Sequence, residues 1–276
     1  MKSWMLAGVA AAALSGPALA TPPMTPWTGY LDFAAGGATG NASDVGSSWS
    51  QKEISVHGAA RFAIPVSPAT TVQLDGWADA WSDTYSSGSP DRGLDDGLGI
   101  HVNWRAAPMT SIGVLGSVGQ DGNSGSVVTV AGEVVRWMGK FRLYGQAGYS
   151  FGLSGEDRTS SAPYVAGVLS YYCNPDLALS AMVAFDHATT TAEADNENDA
   201  AWGARIEFKK PDMPFSIYTA YRGWSWNGSD GGGGYNGLVH DFIVGLRMPL
   251  GGSASGSLKD LDMKVGLTDM NPYYGE

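Results

Sequence analysis

The run from Ser126 to Leu153, SVVTVAGEVVRWMGKFRLYGQAGYSFGL, alternates so regularly that few folds can accommodate it. In its second half Phe141, Leu143, Gly145, Ala147, Tyr149 and Phe151 share one face. Arg142, Tyr144, Gln146, Gly148 and Ser150 share the other, which is the period-2 pattern of a β-strand. The apolar face begins and ends in aromatics. At about 3.3 Å per residue and a tilt near 40°, Phe141 and Phe151 stand roughly 25 Å apart in height, the depth of a membrane's apolar layer. Val127 to Trp137 alternates in the same way, and Met138-Gly139-Lys140 is short enough to turn one strand back beside the other.

The rest of the chain is consistent with β-structure throughout. Of 276 residues 43% are hydrophobic and only 16% charged, while 39 glycines argue against a helical protein. Met1 to Ala20 has one early lysine, an apolar run from Trp4 to Leu14 and the small-residue site Ala18-Leu19-Ala20, the form of a secretory signal peptide. No stretch reaches the roughly 18 continuous apolar residues of a membrane-spanning helix. Removing residues 1–20 takes away Lys2 and no acid, so the net charge moves from −11 to −12. That balance, without a basic cluster, disfavours nucleic acid as a partner. The lone Cys173 excludes an internal disulfide framework.

The alternation predicts about twelve strands: Thr28–Ala35, Glu53–Ile64, Thr71–Ser82, Gly97–Arg105, Thr110–Gly119, Val127–Trp137, Phe141–Gly152, Tyr164–Tyr172, Leu177–Ala188, Ala200–Lys209, Phe215–Trp226 and Leu238–Leu250. Connections after even strands are short and often marked by proline (PVSPAT, AAPM, MGK, CNPD, KPDMP). Those after odd strands are mostly long and rich in Gly, Ser and Asp, from GGATGNASDVGSSWSQK to NGSDGGGGYNG, with QDGNSGS the shortest. Short turns on one side, long loops on the other and an even strand count predict an all-β fold, a closed antiparallel up-and-down transmembrane β-barrel. The expected organisation is a signal peptide over 1–20, the barrel over 21–250 and a periplasmic tail over 251–276.

In this layout the chain resembles the Gram-negative outer-membrane β-barrel or porin-like proteins, over roughly Thr28 to Leu250. The resemblance is one of pattern, and it implies an integral outer-membrane location, contact with the lipid bilayer and lipopolysaccharide, and passage of small hydrophilic solutes. One feature departs from it. Such chains commonly end on an aromatic residue closing the last strand, whereas HDFIVGLRMPL is followed by Gly251 to Glu276. GGSASG reads as a linker, and Leu258, Leu261, Val265 and Leu267 are too few for another spanning pair, so this tail belongs in the periplasm or folded into the lumen mouth.

Soluble barrels and sandwiches also alternate, but their charges belong outside and their cores are bulky. Here the apolar face is studded with Gly and Ala, and the partner face Gln73, Asp75, Trp77, Asp79, Trp81 suits a wet lumen. The lumen-facing set by parity is His57, Arg61, Asp75, Asp79, His101, Arg105, Glu133, Arg142, Asp186, Arg205, Glu207, Arg222, Asp241 and Arg247. Arginine and carboxylate on facing walls would set a transverse field across a pore. The same groups, paired off in a narrow barrel, would instead form a plug of side chains.

Chemical motifs fall away on context. Gly148-Tyr149-Ser150-Phe151-Gly152 fits G-x-S-x-G but lies along a strand, where no nucleophile elbow can form. GGGYNG over 232–237 fits G-x-G-x-x-G but leads into a strand and reads as a flexible loop. EADNEND over 193–199 lacks calcium-loop spacing, and the four histidines lack metal-ligand spacing. No cofactor or metal is implied and no enzyme is expected. Two other classes stay open: an outer-membrane enzyme with a rim site, needing a cross-strand pair such as His57 with Asp75, and a non-conducting barrel whose acidic loops bind a surface partner. Oligomeric state is left open.

Overall fold

The computed structural model describes residues 27–44, 47–86, 90–121, 125–153, 159–190, 196–210, 213–230, 233–251 and 256–265. The signal peptide expected over 1–20 lies outside them, as do 193–195 of the acidic run and 266–276 of the tail. The described chain forms twelve strands: β1 (Thr28–Asp44), β2 (Ser47–Pro65), β3 (Thr70–Tyr85), β4 (Asp91–Ala107), β5 (Thr110–Asp121), β6 (Gly125–Met138), β7 (Phe141–Gly152), β8 (Thr159–Asn174), β9 (Leu177–Thr190), β10 (Asn196–Phe208), β11 (Ser216–Asp230) and β12 (Gly233–Gly251). A short helix, α1 (Leu258–Val265), follows.

Each strand pairs antiparallel with its sequence neighbours, and β1 pairs β12 from Thr28↔Gly251 to Ser43↔Asn236, which closes the barrel. Closure leaves no sheet edge. Side chains alternate as expected: in β7 Arg142, Tyr144 and Gln146 are buried inside, while Phe141, Leu143 and Tyr149 are exposed outside. The outer surface carries a belt of exposed apolar residues, among them Phe33, Val56, Leu98, Val114, Val183 and Val244, contributed by many strands. Burial is therefore inverted relative to a soluble barrel, with charge inside and hydrocarbon outside. This matches the architecture of a transmembrane β-barrel.

Most strands run further than alternation alone predicts, chiefly toward the long-loop end and by only one or two residues at the short-turn end. β1 continues nine residues past Ala35, and its ladder with β2 extends to Asp44↔Ser47, so most of GGATGNASDVGSSWSQK is hairpin. Gly233 to Gly237, expected as loop, likewise belongs to β12. Beyond the apolar belt both faces of a strand meet water. Backbone pairing there holds a hairpin without any period-2 signal in its side chains. At the opposite end the turns are tight: Gly139 adopts φ +61, a left-handed conformation that glycine takes without strain, between β6 and β7.

Candidate functional site

The lumen narrows from the long-loop end toward the short-turn end. An outer cavity of about 300 Å³ is lined by Gln51, Glu53, Tyr85, Trp224, Trp226 and Asp241 among others. Met182 and Arg222 belong both to it and to a middle cavity of about 130 Å³ between Ala34, His57, Val168, Arg205 and Tyr218. Below this, only about 30 Å³ remains around Tyr30, Arg61, Asp75 and His101.

The tightest level is filled by two hydrogen-bonded clusters. In the first, Arg61 donates from Nε to Asp75 (2.9 Å), and His101 bridges Asp75 through Nε2 (3.0 Å) and Glu133 through Nδ1 (2.9 Å). The Gln146 amide and Tyr144 hydroxyl also donate to Glu133. In the second, Glu207 accepts from Arg247 Nε (2.8 Å), from Arg205 Nη2 (2.8 Å) and from the Ser216 hydroxyl. The Tyr218 hydroxyl donates to Asp32, and the Arg205 guanidinium lies 3.5 Å from the centre of the Tyr218 ring. The Tyr30 ring sits between the clusters, with the Arg61 and Arg247 guanidinium carbons each 5.1 Å from its centre. Paired in this way, buried charges avoid the desolvation cost that an isolated one would carry.

Helix α1 sits beneath this level, on the lumen side of the short-turn end. Leu258 is fully buried among Val135, Trp137, Tyr144, Tyr172 and Ala178. Asp262 accepts from Arg247 Nη1 (3.0 Å) and from the Tyr172 hydroxyl. Lys259 donates from Nζ to the Gly139 carbonyl (2.8 Å) and from its amide to the Pro175 carbonyl (2.9 Å). Ser257 caps the helix, its hydroxyl accepting from the Asp260 amide and donating to the Asp260 carboxylate. The described part of the tail, residues 256–265, thus lies in the lumen mouth at the short-turn end.

Apart from Arg105, the parity-selected residues occupy inward positions, but their partners differ from expectation. Opposite charges sit mostly on neighbouring strands: Arg61 with Asp75, His57 with Asp79, and Arg222 with Asp241. The pairing of His57 with Asp75 does not form, because the register puts Asp79 opposite His57 and Asp75 opposite Arg61. Arg105 is exposed at the short-turn rim, beside a register shift. Arg142 is buried over the Trp137 ring, and Asp186 stands opposite Asp199 near the long-loop end. In place of a purely transverse field there is sorting along the axis. Glu53, Asp79, Asp83, Asp95, Asp186 and Asp199 lie toward the long-loop ends of their strands, whereas Arg61, Arg105, Arg142, Arg205 and Arg247 lie toward the short-turn ends together with Asp32, Asp75, Glu133 and Glu207; Arg222 and Asp241 face each other near mid-strand.

Sequence parity missed Tyr30, Asp32, Tyr218, Trp224 and Trp226, although Tyr218, Trp224 and Trp226 share the parity of Arg222. Adjacent Asp186 and His187 do point to opposite faces: His187 is exposed outside, its Nδ1 3.0 Å from Asn198 Oδ1. Ser150 exchanges a 2.8 Å hydrogen bond with Thr129 inside the barrel, a structural role for the G-x-S-x-G serine. Among the described residues no group of three His, Cys, Asp or Glu side chains is arranged to hold a metal ion.

No protein-family model matches the sequence, and a search of curated proteins finds no match. Solved structures do resemble it. An outer membrane channel from Pseudomonas putida F1 superposes with a TM-score of 0.61 at 11% identity, covering 85% of this chain and 99% of that one. A FadL homologue from Pseudomonas aeruginosa (TM-score 0.49, 9% identity, 80% and 90% covered) and the translocator domain of autotransporter NalP from Neisseria meningitidis (0.47, 11%, 87% and 92%) are more distant. At these identities the likeness is one of fold, a closed antiparallel β-barrel.

Proposed function

We propose that the protein is an integral outer-membrane channel for the passive diffusion of small hydrophilic solutes. The observation that carries this reading is a closed wall, apolar outside, around two adjoining cavities that share Met182 and Arg222 and have polar side chains in their walls. No energy source or cofactor is needed for movement down a gradient. The His57–Asp79 and His101–Asp75 pairs lie inside the barrel, not at a rim, which gives an enzymatic reading less support. The acidic outer half attracts cations, while at the narrowest level arginines and carboxylates are paired, as Arg61 with Asp75 and Arg205 and Arg247 with Glu207.

The mature chain should fractionate with the outer membrane and migrate as a compact, heat-modifiable species in detergent gels; recovery as a soluble periplasmic protein overturns the location. Purified protein in a planar bilayer should give discrete conductance steps. Arg61→Ala and Arg142→Ala should each shift the reversal potential toward cation selectivity, because each removes a fixed positive charge from the lumen. A silent bilayer with folded, heat-modifiable protein would favour the plugged barrel. Steps with unchanged selectivity in both variants would keep a pore but discard these residues as its lining.

A further inference from the structure

The outer cavity of about 300 Å³ lies between aromatic rings on one side and a carboxylate on the other. Trp224 and Trp226 alternate along β11 and so face the lumen together, their ring centres 5.1 Å apart. Gly237 on β12 seats the Trp226 ring, which a Cβ at that position would overlap. Register carries this wall across to the other side in two rows. One runs Trp224, Val239, Gly40, Gln51, Tyr85 from β11 to β3, and the next runs Arg222, Asp241, Ala38, Glu53, Asp83. Gly40 and Ala38 keep the middle of both rows short, and three strand spacings of about 4.8 Å separate the tryptophan strand from that of Glu53.

The charge around this space is negative. Glu53 and Asp241 line it against one guanidinium, that of Arg222, which donates from Nε (3.1 Å) and Nη2 (2.8 Å) to Asp241 Oδ2. The residues opposite Glu53 in the ladder are Ala38 and Asp83, and Asp83 stands opposite Asp91, so this row ends in three carboxylates on adjacent strands. Other donors of the wall also turn to carboxylate: the Gln51 amide (2.6 Å) and the Tyr85 hydroxyl (3.1 Å) both donate to Asp83 Oδ2. The wall thus offers a solute aromatic rings and a carboxylate. Both attract a cation, and a bulky one with its charge spread over methyl groups gives up least hydration on leaving water.

We propose that the outer cavity binds small organic cations of the quaternary ammonium type. The methyl groups rest on the rings of Trp224 and Trp226, and Glu53 supplies the counter-charge. A neutral solute of the same shape gains only the apolar contact, and an anion meets two carboxylates against a single paired guanidinium. This names a solute class for the channel proposed above and rests on that reading, with the cavity a stopping place before Met182 and Arg222, which the middle cavity shares.

Isothermal titration of the purified full-length barrel, in a polyoxyethylene detergent that carries neither ammonium nor sugar, tests the site with choline and its uncharged isostere 3,3-dimethylbutan-1-ol. Choline should saturate a single site, with the isostere at least about tenfold weaker. Glu53→Gln should weaken choline at least about tenfold and leave the isostere unchanged, and Trp224→Leu should weaken choline more than the isostere. Heat-modifiability shows that each variant is folded, and the comparison of the two compounds on the unaltered protein needs no variant. Equal affinity for the two compounds, choline binding unchanged in both variants, or saturation by glucose but not by choline overturns the proposal. Bilayer recordings separate the two readings. A conducting barrel that does not bind choline overturns the site and keeps the channel, and a choline-binding barrel that never conducts keeps the cation site and overturns the channel.

Discussion

Conductance should rise when Leu258 is truncated to alanine, and rise further when the chain is ended after Gly251. Leu258 is fully buried against Val135, Trp137, Tyr144, Tyr172 and Ala178, all inward residues of the short-turn end. It is therefore the anchor that holds α1 in the lumen mouth. Removing its side chain should weaken docking by about 2 kcal/mol, the low end for a buried leucine, which shifts the undocked-to-docked ratio roughly 30-fold. Deleting the helix also frees Arg247 and Tyr172 from Asp262. Single-channel recordings should show longer open dwell times for Leu258→Ala and a larger step without closures for the truncated chain. Heat-modifiability should be retained in both, because neither change touches the twelve-strand ladder. Identical recordings from the three proteins would mean that α1 does not obstruct the route.

The anchor was visible in the sequence, but as the wrong kind of signal. Leu258, Leu261 and Val265 are spaced i, i+3, i+7, a helical stripe, and Ser257 with Asp260 forms its cap. Judged only as material for another pair of strands, they look too few. Strand existence was legible wherever alternation spans the apolar layer: β7 is Phe141–Gly152, as predicted, with an aromatic at one end and Phe151-Gly152 at the other. β1 was cut short because Gly36, Gly37, Ala38 and Gly40 carry no contrast between faces, although their backbones pair as regularly as any. Parity likewise placed the charged side chains inside the barrel. It could not say which carboxylate each arginine meets, because that depends on register between strands: a shift of four residues would give His57 to Asp75 or to Asp83 instead of Asp79. The middle cavity was illegible for a related reason. Met182 and Val168 look like any apolar strand residues until the closed sheet brings β8 and β9 across the lumen from β1.

The largest loss of stability is expected at Glu207, which holds two arginines at once. It is about 4% exposed, and its carboxylate accepts from Arg247 on β12, Arg205 on its own strand and Ser216 on β11. Glu207→Ala takes one carboxylate from Arg247, itself about 5% exposed, which keeps Asp262, and one from Arg205, which keeps Asp32 at 3.8 Å. Removing one partner of a buried ion pair costs on the order of 3–5 kcal/mol, because the remaining charge keeps its desolvation penalty without its compensation. Glu207→Gln should cost less, since the amide oxygen still accepts while the fixed charge is lost. The folded-to-unfolded gel transition should therefore fall to lower temperature in the order wild type, Gln, Ala. The double variant Glu207→Leu with Arg247→Met should recover part of the loss, because it removes both buried charges together. If Glu207→Ala melts with wild type, the cluster is hydrated and weakly coupled; if the double variant is worse than the single, packing around Tyr30 matters more than charge compensation.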